Sequence, residues 1–198
     1  MSKITYELLE IVYAFRRQKN TIYIITVLFL ISFITSYILF YLDIGGVNKI
    51  GQVIFHRFSE YVNSLNLRNK SSYDIFLFIL THNLTVGLLE YITTIFSLFI
   101  VVSNAFILAY VLYISNNPLT FILLVLPHGI VEIPAFILSS VSGVVLFNAI
   151  VKKLKKSKDS IVYYKDSIRI LLVSILLFII AAIIESTITF EIKKLIIG

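Results

Sequence analysis

The chain has 198 residues, of which 59% are apolar and only 14% charged, with a formal net charge of +6 and no cysteine. Soluble domains carry about 25% charged residues, and a fold of this length in water would leave roughly 30% of its extended surface exposed, too much for this composition. Lipid is the remaining solvent, and the missing thiols exclude disulfides and thiolate-held metals.

Long apolar runs, rather than short alternating ones, select helices over a barrel. The expected fold is therefore all-α: a polytopic transmembrane helical bundle of about five spans, one integral membrane domain over 1–198. Residues 1–20 read as an amphipathic N-terminal segment ending in Arg16, Arg17 and Lys19, with no small-residue cleavage site after the first apolar stretch. The first span is expected over 21–42. Residues 43–72 then form a loop carrying an interfacial helix, in which Val53, Phe55, Phe58, Val62 and Leu65 recur near helical spacing. A second span, 73–89, is interrupted by His82 and Asn83, and a third, 91–115, holds Asn104. The region 119–151 is too long for one straight span, and Leu126-Pro127-His128-Gly129 predicts a break, giving a half-helix followed by a full span from Ile130. A basic loop over 152–167 leads to the last span, 168–190, which carries Glu185.

The charge is concentrated near that loop. Lys152, Lys153, Lys155, Lys156, Lys158, Lys165 and Arg169 stand against Asp159 and Asp166, so seven cations less two carboxylates leave +5 of the +6. Beside an apolar span such a run marks the cytoplasmic side, with Lys152, Lys153, Lys155, Lys156 and Lys158 binding anionic lipid head groups or a partner, rather than nucleic acid. With five spans, the N-terminal four cations and these seven share one side. Lys49, Arg57, Arg68, Lys70, Lys193 and Lys194 fall on the other. The expectation is a multi-pass protein of the cell membrane with a cytoplasmic N-terminus and an extracytoplasmic C-terminus.

Ionisable residues inside spans cost several kcal/mol unless paired or hydrated, so they are the informative ones. His82, His128, Glu132 and Glu185, with Asn104, are expected to converge as a buried network in the outer half of the bundle. His128 and Glu132 share a helix face through their i,i+4 spacing. Three uses stay open: bonding helices together, relaying protons or ions, and holding a metal through His82, His128, Glu132 and Glu185. The segment reads His-Gly-Ile-Val-Glu rather than His-Glu-x-x-His, so no zinc-protease motif is present and no catalytic residue is assigned. No cofactor is expected beyond that candidate metal ion. Ser139, Ser140, Ser142 and Gly143 read as small residues for close helix packing.

The stretch Leu126-Pro127-His128-Gly129-Ile130-Val131-Glu132-Ile133-Pro134-Ala135 resembles the signature of the stage II sporulation protein M family. His82-Asn83-Leu84, Asn104-Ala105-Phe106-Ile107-Leu108-Ala109 and the ending Ala181-Ala182-Ile183-Ile184-Glu185-Ser186-Thr187 support it in the expected order. The resemblance implies a membrane-embedded scaffold or accessory protein. In spore formers such a protein supports septal peptidoglycan remodelling together with a murein hydrolase and a second membrane protein. It marks His82, Asn83, Asn104, His128, Glu132, Pro134 and Glu185 as signature positions without a catalytic role. Expected partners are the bilayer, other membrane proteins or further copies of the chain. A small oligomeric transporter or channel, and an intramembrane metal-dependent hydrolase, are the alternatives.

Overall fold

A computed structural model of the chain describes residues 3–64, 70–115 and 118–189. Leu65, Arg68, Phe190, Lys193 and Lys194 lie outside the described residues, as do the side chains of Phe58, Val62 and Leu126. Among the described residues there are seven α-helices and no strand: α1 (Lys3–Arg17), α2 (Lys19–Leu42), α3 (Val47–Ser64), α4 (Ser72–Thr93), α5 (Ser97–Ile114), α6 (Pro118–Leu154) and α7 (Ser160–Ile184). A π-helical turn, Glu185–Thr189, extends α7.

By length and composition, four stretches are able to cross a membrane: Lys19–Leu42, Ser72–Ile114, Pro127–Leu154 and Ser160–Ile188. The second is 43 residues long, roughly twice a bilayer crossing. It reverses at the 3₁₀ turn Thr94–Phe96, where Thr94 takes φ 56° and ψ −112°. Contacts on α6 show the reversal. Along α4, Gly87 and then Glu90 and Thr94 meet Ser139 and then Gly143. Ser97 at the start of α5 meets Ser140 again, and Val101 and Ala105 share a core with Ile137 and Leu138. The five-helix membrane bundle expected from the sequence is thus present, with two of its helices joined by a three-residue turn.

α6 is the axis of the bundle. It packs against α2, α4, α5 and most extensively α7, while α2 rests chiefly on α5. Val141, Val145 and Ile170 are fully buried where α6 meets α7, and Phe136 and Phe178 make an edge contact at 4.8 Å. Outward-facing side chains such as Tyr23, Ile92, Phe99 and Leu172 are more than half exposed, as helices facing lipid require.

Two expectations are corrected. The break at 126–129 does not occur: α6 is helical from Pro118 to Leu154 with Pro127 and Pro134 inside it. A proline removes one backbone donor and strains one turn, but within a membrane bundle neighbouring groups re-satisfy the freed carbonyls and the helix persists. The basic loop is also shorter than 152–167, because α6 runs to Leu154 and α7 starts at Ser160. Lys152 in the last turn of α6 reaches Asp159 at 3.8 Å and stacks over the Tyr163 ring at 4.7 Å, which ties the two helix ends together. Lys153, Lys155, Lys156 and Lys158 are exposed.

The two amphipathic segments are helical as expected. α1 turns Ala14 inward and leaves Ile4, Leu8, Leu9 and Val12 exposed. α3 seats Val47 and Phe55 against Phe40, Ala109 and Tyr110, while Ile50 and Val53 stay outside. Gly51 is obligatory there, because a Cβ would overlap the Tyr110 ring. Each helix therefore uses one face on the protein and offers a second apolar face outward.

Candidate functional site

Three polar constellations interrupt the apolar bundle. The first joins α6 to the π-helical end of α7. One ligand atom from each of His128, Glu132 and Glu185 lies within 4.8 Å of the others. His128 Nε2 is 3.7 Å from Glu132 Oε2, across one helical turn as the i,i+4 spacing dictates. Their side chains are 14% and 19% exposed, so the group is reachable from outside but largely desolvated. A π-turn closes i→i+5 bonds and shifts the register of the residues that follow, a device that recurs at functional sites. Here that turn begins at Glu185.

Asn83 on α4 completes this constellation. It is 3% exposed, its side chain lies within hydrogen-bonding reach of the Glu132 carboxyl, and its Nδ2 meets no acceptor with full hydrogen-bond geometry. His82, its neighbour in sequence, does not take part in the group. One residue along an α-helix is a rotation of about 100°, which turns His82 outward to stack on Phe78 at 6.3 Å between ring centres. The four-residue metal set expected from the sequence thus loses His82. Asn104 lies on α5 with a buried Nδ2 that has no hydrogen-bond partner among the described residues, and Pro134 is exposed on α6.

The second constellation is a seam of small polar residues. Ser139 Oγ donates to the Gly87 carbonyl, Ser174 Oγ donates to the Ala135 carbonyl at 2.7 Å, and the Ser97 and Ser140 hydroxyls are 2.8 Å apart. These bonds let α4, α5 and α7 approach the α6 backbone closely, which is the packing role expected of the serine stretch. Glu90 lies inside the seam, fully buried and beside Ser139, with no hydrogen-bond partner of full geometry for either carboxyl oxygen. The spans expected over 73–89 and 91–115 leave Glu90 between them, at a span end. The signal that finds it is the spacing Ile75, Ile79, Asn83, Gly87 and Glu90, which is one continuous buried stripe on α4. With no cation in the seam among the described residues, Glu90→Gln is expected to leave thermal stability in detergent unchanged or raised by about 1 kcal/mol, since the amide keeps the shape without a charge to desolvate. A large loss of stability would show that the carboxylate itself is needed.

The third constellation lies at the opposite end of α7. Asp166, fully buried, accepts from Arg17 Nη2 at 2.6 Å, Arg17 Nε at 3.0 Å and Gln18 Nε2 at 3.1 Å. Three residues on, Arg169 donates to Glu10 and Glu7, both at 3.0 Å. α1 is thereby strapped to the first turns of α7 by alternating charges, and both basic segments of the chain sit at one end of the bundle. Read locally, Asp166 and Arg169 are members of a basic run; their partners are about 150 positions away.

The family model for stage II sporulation protein M matches residues 25–190. An uncharacterized protein of Methanocaldococcus jannaschii is 42% identical over 200 residues, covering 98% of this chain and 92% of the relative. A second uncharacterized protein of that organism is 30% identical over 174 residues, covering 82% and 92%. No solved structure matches. The matched segment contains the His128, Glu132 and Glu185 group and Asp166, but begins after Arg17 and Gln18, and the chain belongs to the stage II sporulation protein M family.

Proposed function

We propose that the chain is a membrane-embedded scaffold, an accessory subunit that holds envelope-remodelling or other membrane machinery at the bilayer. The observation that carries this reading is the length of α6. Its 37 residues span about 55 Å, whereas a hydrocarbon core is about 30 Å thick. Pro127–Leu154 suffices to cross, which leaves the turns before Pro127 projecting beyond the rest of the helix. Ile122 and Leu123 there are 44% and 41% exposed. An apolar helical extension at the membrane boundary is a seat for another membrane protein, and the buried serines meanwhile serve the bundle's own helix contacts.

Photo-crosslinking in native membranes tests this reading. A crosslinker at Ile122 or Leu123 is expected to give a discrete protein adduct, and one at lipid-facing Leu172 only lipid adducts. Identical lipid-only patterns at all three positions would refute the scaffold role, and an adduct of twice the chain's mass would identify the partner as a second copy.

In this proposal the strapped, basic end faces the cytoplasm. Eleven of the chain's 17 Lys and Arg residues belong to it, as positive-inside orientation requires. Because the chain has no cysteine, single thiols report sidedness directly. In intact cells a membrane-impermeant maleimide is expected to label Asn48→Cys and to spare Lys156→Cys. The reverse pattern would invert the topology.

A further inference from the structure

We infer that His128, Glu132 and Glu185 form a binding site for a divalent transition-metal ion of the zinc type, with Asn83 as its supporting residue. This goes beyond the scaffold reading and does not depend on it.

The donor set is one imidazole and two carboxylates, drawn from α6 and from the π-turn after α7. Zinc takes imidazole nitrogen and carboxylate oxygen alike, and sites with three protein ligands leave a coordination position for water or substrate. Tetrahedral zinc with ligands near 2.1 Å needs donor atoms about 3.4 Å apart. The three atoms already lie within 4.8 Å of one another, and His128 Nε2 and Glu132 Oε2 are 3.7 Å apart. Side-chain adjustment of a few tenths of an ångström to about an ångström closes the set.

Asn83 supplies the independent observation. It is 97% buried by its 3% exposure, stands beside the Glu132 carboxyl and keeps an unsatisfied Nδ2 donor. A ligating carboxylate uses one oxygen on the metal and has the other oriented by a neighbouring donor. An asparagine amide aimed at Glu132 from a third helix fits that task. α6 presents both His128 and Glu132, Asn83 on α4 stands where it can orient the Glu132 carboxyl, and the π-turn brings in Glu185. The site joins the middle of α4, the part of α6 around His128 and Glu132, and the π-turn after α7, and partial exposure of His128 and Glu132 provides entry.

The test uses the full chain in detergent. Bound zinc, manganese, iron, cobalt, nickel and copper are measured by mass spectrometry, and each ion is then titrated into chelator-treated protein while the melting temperature is followed. The expected result is close to one ion per chain in the wild type and a melting temperature that rises on adding back that ion. Glu185→Gln and His128→Ala should abolish both effects. Asn83→Ala should retain the site with affinity lowered about 10- to 100-fold. Glu185→Gln preserves shape, so a variant that melts like the chelated wild type yet ignores the ion separates lost ligation from lost folding. Absence of bound metal in the wild type, together with no ion-dependent shift from any of the six ions, would overturn the proposal. So would an ion whose effect survives in Glu185→Gln.

Discussion

Replacing Gly143 by alanine is expected to destabilise the bundle by about 1–3 kcal/mol, the range for forcing extra carbon into a packed interior. A Cβ at this position would lie 2.5 Å from the Glu90 carbonyl oxygen and 3.3 Å from that of Thr94. Both atoms belong to backbone at the α4–α5 reversal, so no side-chain rotation relieves the overlap and a helix has to move. Gly129 in the same helix is the matched control. Its Cβ would meet Val125 Cγ1 at 3.3 Å and Ile133 Cδ1 at 3.8 Å, both side-chain atoms on neighbouring turns of the same helix. Alanine gains up to about 1 kcal/mol of helix propensity there, so Gly129→Ala is expected to be near neutral. Thermal unfolding of the two variants in detergent decides the matter: equal stabilities would show that α4 and α6 do not make the close approach described above.

The second large effect is expected at Asp166. Asp166→Ala removes the acceptor of three hydrogen bonds and leaves Gln18, 4% exposed, with a buried amide lacking this acceptor. Breaking a fully buried ion pair costs about 3–5 kcal/mol, but Arg17 retains 37% exposure and recovers hydration, so about 2–3 kcal/mol is expected. Asp166→Asn keeps an acceptor for Gln18 without the charge and should fall between. Limited trypsin digestion reads the strap directly, since Arg16 and Arg17 stand at the junction of α1 and α2. Rapid cleavage at that junction is expected in Asp166→Ala and slow cleavage in the wild type. Equal rates would mean that the strap does not hold α1 down.

The spans were legible because a run of some twenty apolar residues has few other uses, and the amphipathic helices because apolar residues recur on one face in α1 and α3. The break assigned to Pro127 failed for a definite reason. In water the carbonyl that a proline frees can bond solvent and the helix can end there, whereas in a membrane bundle the uncoiled alternative is the costlier state. The polar site was half legible. Residue type and span membership selected His128, Glu132 and Glu185, but whether His82 or Asn83 turns inward is a matter of helix rotation. The rotation is carried by the stripe from Ile75 to Glu90, in which Asn83 falls and His82 does not. The strap was not legible at all, since nothing local distinguishes Asp166, which finds Arg17 across the fold, from Asp159, which stays at the surface beside Lys152.

The turn at Thr94–Phe96 has a bearing on biogenesis. α4 packs on α6 and α7 more than on α5, its neighbour in the chain. When the ribosome has delivered α4 and α5, the pair can enter the bilayer only as a hairpin. Asn83 and Glu90 then face lipid or the insertion machinery, because the helices that cover them have not been made. Co-translational assembly of this protein thus has a waiting step that lasts until α6 emerges, and nascent chains arrested before Pro118 should be the ones that membrane proteases clear.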